Sequence, residues 1–340
     1  MKPTSAKATA GKPRVVSGMR PTGRLHLGHL VGALDNWASL QDTYDCFYFV
    51  ADWHALTSGY ADTSQVVADA YDMVADWIAG GLDPERSTFF VQSLVPEHAE
   101  LFLLLSMVIP IPWLERVPTY KEQMQEMSDK DLSTLGFLGY PLLQTADIVI
   151  YNAHYVPVGE DQVAHLELSR EIVRRFHNFY GELFVEPQPL LTKFPRLPGL
   201  DNRKISKSYG NAINLADDAD TVRKKVMQMY TDPKRVRADI AGTVEGNPVF
   251  MYHDAFNPDL AEVEDLKSRY REGKVGDVEV KKKLAAALNV HMEPIRARRA
   301  ELLANPETLR EILHEGSRKA RMVAQETMER VRSAVKLKYA

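Results

Sequence analysis

Residues 14–29, RVVSGMRPTGRLHLGH, join a short apolar run to a string rich in histidine. The run Val15 to Gly18 is typical of a buried strand, and HLGH opens a helical run that extends to about Leu40. The first turn of such a helix presents free backbone N–H groups, which favour an anion. The two histidines can donate hydrogen bonds to phosphate oxygens, and the glycine has no Cβ to hold a ligand away.

The N-terminal half alternates between strand-like and helical segments. A helical run from Thr63 to Ile78 ends at the stop signal Gly80-Gly81. The strand-like runs are Val15 to Gly18, Cys46 to Ala51 and Ser87 to Gln92. This alternation predicts an α/β fold with a doubly wound parallel sheet.

The ligand crevice of such a sheet lies beyond the carboxyl ends of its strands. Gly18, the HLGH string and Asp52-Trp53-His54 all fall there. We therefore expect these separate segments to line one site.

A second string, KISKS at 204–208, lies in the polar segment PGLDNRKISKSYGN. Lys204 and Lys207 are compact positive charges on flexible stems, which suits them to follow a departing pyrophosphate. Ser206 and Ser208 add hydroxyl donors. Neither string alone indicates ATP, but together they predict a site for its phosphates.

The composition is that of a globular protein. The chain has 340 residues, 45% hydrophobic and 26% charged, which is enough for two domains. No apolar run approaches the roughly 20 residues of a membrane span, and the N-terminus lacks the apolar core of a secretion signal. We expect a cytoplasmic location and no membrane partner.

Two smaller features complete the picture of the N-terminal half. The single cysteine, Cys46, excludes an internal disulfide and a cysteine-based zinc site, and its apolar surroundings predict a core position. Residues 1–13, MKPTSAKATAGKP, are small and basic. We expect a disordered tail there, with a transit peptide as the alternative.

The net charge of −4 conceals an uneven distribution. Residues 274–340 carry 15 Lys and Arg against 9 Asp and Glu, a local charge of +6 that leaves −10 for residues 1–273. Leu284, Leu288 and Met292 recur at helical spacing, so this basic end is helical. Its basic residues could contact RNA phosphates, or they could simply form a solvated helix face. They include Lys281, Lys282, Lys283, Arg296, Arg298, Arg299, Arg318, Lys319 and Arg321.

The two strings resemble the HIGH and KMSKS signatures of class I aminoacyl-tRNA synthetases. Between them, GYPLLQTADIVIYNAHYVPVGEDQVAHLELSREIVRRF at residues 139–176 is similar to the amino-acid and ribose-binding segment of the bacterial tryptophanyl family. The resemblance covers most of residues 14–335. Arg20, His29 and Ile205 depart from the common Gln, Asn and Met, which suggests a type II-like bacterial branch.

The resemblance implies ATP-dependent activation of L-tryptophan and transfer of the aminoacyl group to tRNA(Trp). It implies Mg²⁺ on the ATP phosphates, a homodimer, no metal site formed by protein ligands and no DNA partner. It also implies a Rossmann-like catalytic domain at residues 14–216 and a helical tRNA-binding domain at residues 217–340.

The resemblance assigns site residues as well. The implied catalytic residues are His26, His29, Lys204 and Lys207. The implied ATP-binding residues are Arg20, Pro21, Thr22, Gly28, His29, Gly159, Glu160, Asp161, Leu197, Lys204, Ile205, Ser206, Lys207 and Ser208. The implied tryptophan-binding residues are Gly18, His54, Tyr140, Gln144, Asp147 and Gln162.

Asp147 is the key residue for substrate choice. It lies in the apolar run Leu142 to Ile150, where a buried carboxylate requires a partner. Sequence alone favours a helix cap or an arginine pair over a ligand. The resemblance instead implies the indole N–H of tryptophan, a donor that a carboxylate can accept.

Several alternatives remain at this point. Glu160 and Asp161 could cap the next helix instead of binding ribose. The tyrosyl synthetases share the fold and both signatures, although TAD followed by PVGEDQ favours the tryptophanyl family. A small-molecule adenylyltransferase would leave KISKS unexplained, and a non-catalytic paralogue that binds tryptophan or RNA would not need both signatures intact.

Overall fold

The computed structural model describes residues 11–117, 120, 131–159, 162–191, 197–206, 209–233, 235 and 237–339. Within them, five parallel strands form one sheet in the order β3-β2-β1-β4-β5. The strands are β1 (Arg14–Met19), β2 (Asp45–Val50), β3 (Ser87–Val91), β4 (Tyr155–Val158) and β5 (Gln188–Leu191). The predicted doubly wound α/β fold is thereby confirmed. The strand order reverses between β1 and β4, which places the ligand crevice there.

Helices cover the sheet and form the C-terminal region. The helices before β4 are Leu27–His29, Asp35–Leu40, Asp52–Gly59, Val66–Ala79, Glu97–Ser106, Ile111–Glu115, Leu135–Leu138 and Tyr140–Val149. Those after β4 are Val163–Tyr180, Ala219–Met227, Pro248–Phe256, Leu260–Arg271, Asp277–Ala304 and Pro306–Ala334. None of the helices in the described residues has the length and apolarity of a membrane span.

The helix after β1 differs from the expected regular helix. It begins at Leu27, but Leu30–Leu34 winds as a π-helix before the α-helix resumes at Asp35–Leu40. Hydrophobic spacing of about 3.6 residues cannot reveal such a local change of winding, and π-segments often occur beside functional sites.

The core lies on both faces of the sheet. Neighbouring residues of β1 and β2 alternate between two apolar clusters: Val15 and Tyr48 belong to one, and Val16 and Phe49 to the other. A parallel sheet covered on both faces requires such continuous apolar strands. Cys46 is buried as predicted, and burial raises the pKa of its thiol.

The C-terminal helix, Pro306–Ala334, covers the edge strand β3. The backbone N–H of Val91 donates to Ser317 Oγ at 3.1 Å, so the helix supplies an acceptor for a donor on the open edge of the strand. At Gly316 the backbones approach so closely that an added Cβ would lie 1.7 Å from the Phe89 carbonyl oxygen. The C-terminal helix is therefore part of the sheet's packing.

The helix Asp277–Ala304 is tied to the N-terminal half by an ion pair. Arg299 Nε donates to Asp76 Oδ1 at 2.7 Å, and Arg299 also pairs with Asp72. Burial raises the pKa of Asp76 to about 6 despite the opposing effect of Arg299. An uncompensated charge there would be costly, so Arg299 has a structural role and is not available to RNA.

The structure also corrects the expectation for Lys281. Its ammonium group is buried and donates to the Met229 carbonyl at 2.6 Å and to Thr231 Oγ1 at 2.7 Å. Lys281 therefore anchors the helix Asp277–Ala304 and cannot contact phosphate, whereas the neighbouring Lys282 is exposed.

We expect Gly316→Ala to destabilise the protein by about 1 to 3 kcal/mol, because the new methyl group must displace either the helix or β3. Chemical denaturation measures the effect. Gly59→Ala is the matched control, since its Cβ meets nothing within 4 Å. Equal stability of the two variants would show that the helix can move away from the strand without cost.

Candidate active site

A cavity of about 420 Å³ opens at the point where the strand order reverses. The ends of three strands form its rim: Gly18 near the end of β1 and Arg20 after it, Ala51 after β2 and Gly159 after β4. This is the edge at which the alternation of strands and helices predicts a ligand crevice.

All six predicted tryptophan-binding residues line this one cavity. Tyr140, Gln144 and Asp147 project from one helix at positions four and three residues apart, so they share a face. His54 reaches the cavity from the helix after β2. The predicted residues in the lining are Gly18, His54, Tyr140, Gln144, Asp147 and Gln162.

Apolar groups supply the rest of the cavity wall. Trp37, Phe49, Ile148 and Val156 are among them. A wall of this kind suits a flat aromatic side chain and excludes water from polar groups at its base.

Asp147 lies at the base of the cavity and is almost completely buried. Its Oδ2 lies 2.8 Å from His54 Nε2, and its Oδ1 lies 2.5 Å from His98 Nδ1. Gln92 Nε2 donates to both oxygens at 2.8 and 2.9 Å. Burial acts to raise the pKa of Asp147, but the hydrogen bonds from the two histidines outweigh it and lower the pKa to about 2.

These contacts replace the partners that sequence alone favours for Asp147. Within the described residues, neither an arginine nor a helix N-terminus accounts for its burial. Because an ionised carboxylate only accepts hydrogen bonds, the facing nitrogens of His54 and His98 both carry hydrogen. The cavity thus presents an anionic acceptor in an apolar setting.

A second, smaller cavity of about 280 Å³ lies where the two signature strings meet. His26 lines it from the first string, and Ile205 and Ser206 line it from the second. Arg24 adds positive charge to its walls, and Lys225, also in the lining, is paired with Asp217 at 2.6 Å. This arrangement suits an anion.

Backbone hydrogen bonds hold the segment that follows the second string against the first string. Leu27 N–H donates to the Ile213 carbonyl at 2.9 Å, and Leu215 N–H donates to the Leu25 carbonyl at 2.9 Å. Gly28 faces the second string so closely that an added Cβ would lie 3.0 Å from Ile205 Cδ1. The glycine of the first string thus permits its close contact with the second.

Asn211 organises the loop of the second string. Its Oδ1 accepts from Ser206 N–H at 3.0 Å, and its Nδ2 donates to Asp201 Oδ1 at 2.8 Å and to the Lys204 carbonyl at 3.2 Å. Asn211 is buried, so these bonds form away from bulk water. The asparagine holds the backbone on either side of Ile205.

The remaining predicted residues that the structure describes lie outside the two cavity linings. His29 stacks on His26 with ring centroids 3.7 Å apart. Pro21 and Leu197 are buried, whereas Thr22 and Lys204 are exposed. Glu160, Asp161, Lys207 and Ser208 lie outside the described residues.

Sequence reasoning missed four buried polar residues of the site: Gln92, His98, His165 and Asn211. A signal was available for Gln92, because it directly follows β3 and so falls on the same rim as Gly18 and Ala51. His98 gives no such signal, since its distance from Asp147 is set by the packing of two helices. Asn211 reads in the sequence as an ordinary turn residue.

Comparison with known proteins agrees with this geometry. Residues 7–293 match the family described as tRNA synthetases class I (W and Y). The chain is 50% identical to the tryptophan–tRNA ligase of Thermotoga maritima, covering 96% of this chain and 100% of that one. It is 50% identical to the tryptophan–tRNA ligase of Treponema pallidum, covering 95% and 97%.

A solved structure gives the same result. The tryptophanyl-tRNA synthetase of Campylobacter jejuni complexed with ADP and tryptophan superposes with a TM-score of 0.87 at 32% identity. The alignment covers 95% of this chain and 99% of that chain. The chain therefore belongs to the tryptophan–tRNA ligase family of class I tRNA synthetases.

Proposed function

We propose that the chain activates L-tryptophan with ATP and transfers the aminoacyl group to tRNA(Trp). The observation that carries the proposal is the ionised carboxylate of Asp147 at the base of an apolar cavity. The indole N–H is a donor without acceptor capacity, so it pairs with a carboxylate and with no competing donor. Amino acids that lack such a donor leave the buried acceptor unpaired and are rejected.

The amino group and carboxylate of tryptophan lie toward the open side of the cavity in this proposal. Tyr140 and Gln162 hold the amino group, and Gln144 and His54 complete the pocket. The substrate carboxylate then points toward the crevice at the end of β1, next to Gly18, where an added Cβ would collide with the Phe49 ring at 2.3 Å and so disturb the cavity wall.

ATP occupies the region between the two cavities. Arg20, Pro21 and Thr22 border it before the first string, and Gly159, Glu160 and Asp161 bind its ribose. Gly28 and Leu197 contact the adenine base of ATP or the face of the nucleotide that lies against the protein backbone. Mg²⁺ arrives with the phosphates, which hold it through their own oxygens. Among the described residues there is no group of three or more His, Cys, Asp or Glu that could hold a metal ion.

The reaction needs alignment and charge stabilisation. The tryptophan carboxylate oxygen attacks the α-phosphorus in line, and the bond to the pyrophosphate oxygen breaks. His26, His29, Lys204 and Lys207 stabilise the charge that develops on the leaving group, assisted by the hydroxyl groups of Ser206 and Ser208 of the loop. In the second step a ribose hydroxyl of the tRNA attacks the acyl carbon and AMP leaves.

Exchange of pyrophosphate into ATP tests the substrate assignment. We expect exchange with tryptophan and no appreciable exchange with tyrosine or phenylalanine. Faster exchange with tyrosine would support the tyrosyl alternative, and no exchange with any of the twenty amino acids would support a non-catalytic paralogue.

We expect Asp147→Ala to raise the tryptophan KM about 10- to 100-fold, because a hydrogen bond to a charged group is worth about 1.5 to 3 kcal/mol. The KM for ATP should stay within about twofold, since Asp147 faces the other ligand. The control is Asp62→Ala, which removes a carboxylate from the protein surface. Wild-type tryptophan affinity in a folded Asp147→Ala protein would contradict the assignment.

We expect Lys204→Ala and Lys207→Ala each to lower the rate of adenylate formation about 100-fold while weakening ATP binding much less, because contacts made to departing pyrophosphate act mainly in the transition state. Single-turnover kinetics separates the two effects. Lys224→Ala, an exposed lysine outside the loop, should behave as wild type. An unchanged rate with weaker ATP binding would make the loop a simple binding element.

The exposed basic residues of the C-terminal helices are our candidates for tRNA contacts. Lys281 and Arg299 are excluded by their buried contacts, and Arg321 Nε donates to the largely buried Glu97 at 3.0 Å. Exposed positions that remain are Lys282, Arg298, Arg318 and Lys319.

We expect Lys282→Glu with Arg298→Glu, or Arg318→Glu with Lys319→Glu, to leave tryptophan activation nearly intact and to weaken tRNA binding. At least one double variant should lower the salt slope of binding, by about 1 for each phosphate that the protein no longer neutralises. Filter binding over a salt series measures this. Unaltered tRNA affinity and salt slope in both variants would assign RNA binding to another surface.

The homodimer, the cytoplasmic location and the division into a catalytic domain at 14–216 and a tRNA-binding domain at 217–340 stay predictions. In support of the division, the first helix after the second string begins at Ala219, capped by Asp218. The tail expected at residues 1–13 lies largely outside the described residues, but Pro13 already pairs with β2, since its carbonyl accepts from Asp45 N–H at 3.0 Å.

A further inference from the structure

A chain of buried hydrogen bonds continues from Asp147 away from the cavity. His98 Nδ1 faces Asp147 Oδ1 at 2.5 Å, and His98 Nε2 lies 2.6 Å from the Tyr151 hydroxyl. Asp147 and Tyr151 are four residues apart, so the imidazole ring of His98 spans one helical turn between them. A ring bonded at both nitrogens cannot rotate without breaking a hydrogen bond.

The hydrogen-bonding capacity of Asp147 determines which atom donates at the first link of these buried hydrogen bonds. Asp147 is ionised and accepts only, so His98 Nδ1 carries the hydrogen. Burial raises the pKa of Tyr151 well above its ordinary value, so the phenol keeps its proton. Because Nδ1–H is committed to Asp147, the Tyr151 hydroxyl contacts the opposite ring nitrogen, Nε2, and holds the ring from its far side.

His54 and His98 have different positions relative to the ligand. The His54 side chain is 12% exposed and lines the cavity, whereas the His98 side chain is 0% exposed and lies behind Asp147. The His98 ring packs near Phe49 and Phe90, with centroids 6.3 and 6.2 Å away. Water therefore cannot replace the His98 bond, while the His54 side of the carboxylate is the side that an incoming N–H can reach.

We propose that His98, held by Tyr151, is a positioning residue that aims the Asp147 carboxylate at the indole N–H and so sets the preference for tryptophan over ring systems without that N–H. The proposal rests on the proposed function. It assigns His98 no contact with substrate. Its effect passes through the orientation and charge of Asp147 alone.

The test compares tryptophan with β-(3-benzothienyl)alanine, in which sulfur replaces the indole N–H and the shape is nearly kept. The measured quantity is the ratio of kcat/KM for the two amino acids in pyrophosphate exchange. We expect His98→Leu to lower this ratio at least about tenfold and to leave the KM for ATP unchanged. His98→Asn, whose amide N–H can take the place of Nδ1–H, should recover much of the ratio, and Tyr151→Phe should lower it by a smaller factor.

The matched control is His253→Leu. His253 is also fully buried and hydrogen-bonded, to the Val280 carbonyl at 3.0 Å, but it lies in the C-terminal helices. The His253→Leu variant should have a lower thermal stability and an unchanged ratio of kcat/KM for the two amino acids. If His98→Leu does not fold, Tyr151→Phe decides the matter.

An unchanged ratio in folded His98→Leu, or in Tyr151→Phe when the former does not fold, overturns the inference. So does an equal loss for both amino acids, which would reveal a merely structural role. A wild-type enzyme that does not activate tryptophan, or does not prefer it to the sulfur analogue, would instead overturn the proposed function itself.

Discussion

The buried charge of Asp147 is the constraint on which the rest of the site depends. A carboxylate removed from water must be surrounded by donors, and three side chains supply them. His54 follows β2, Gln92 follows β3, and Asp147 itself precedes β4. The native order of these strands therefore brings together the donors that satisfy the charge. The sheet topology and the hydrogen bonding of Asp147 thus support each other.

The C-terminal helix extends this dependence to the far end of the chain. It covers β3 through Gly316 and Ser317, and β3 leads directly into Gln92. Its arginines also pair with the helix that carries His98, since Arg321 contacts Glu97 and Arg332 contacts Glu100. Residues that look in the sequence like a basic RNA-binding face thus brace the donors behind the cavity. Glu97 is buried, so its pair with Arg321 is more consequential than an ordinary surface ion pair.

The sequence was sufficient for the sheet, the crevice and the gathering of the six predicted tryptophan-binding residues around one cavity, because these follow from periodicity and from a resemblance that covers both signatures. It was insufficient wherever a contact depends on the packing of distant elements. Lys281 belongs to a run of three lysines, yet the helix face it occupies turns inward and buries its charge. His98 and Asp147 lie 49 residues apart, and only the packed helices bring them within hydrogen-bond distance. The π-helical segment Leu30–Leu34 leaves the apolar pattern intact and so is invisible in it.

The two ligand regions are built differently, and their chemistry explains why. Discrimination of an N–H requires an acceptor fixed in position, and Asp147 is fixed by helices and a closed hydrogen-bond network. Release of pyrophosphate requires groups that can move, and the second string is a loop held through the side chain of one asparagine, Asn211. The contact between Gly28 and Ile205 connects the loop of the second string to the first string. A methyl group at Gly28 would lie 2.9 Å from the His26 ring and 3.0 Å from Ile205 Cδ1, so a side chain there would displace one of these groups. The absence of a Cβ at Gly28 thus serves the packing of the two signatures against each other.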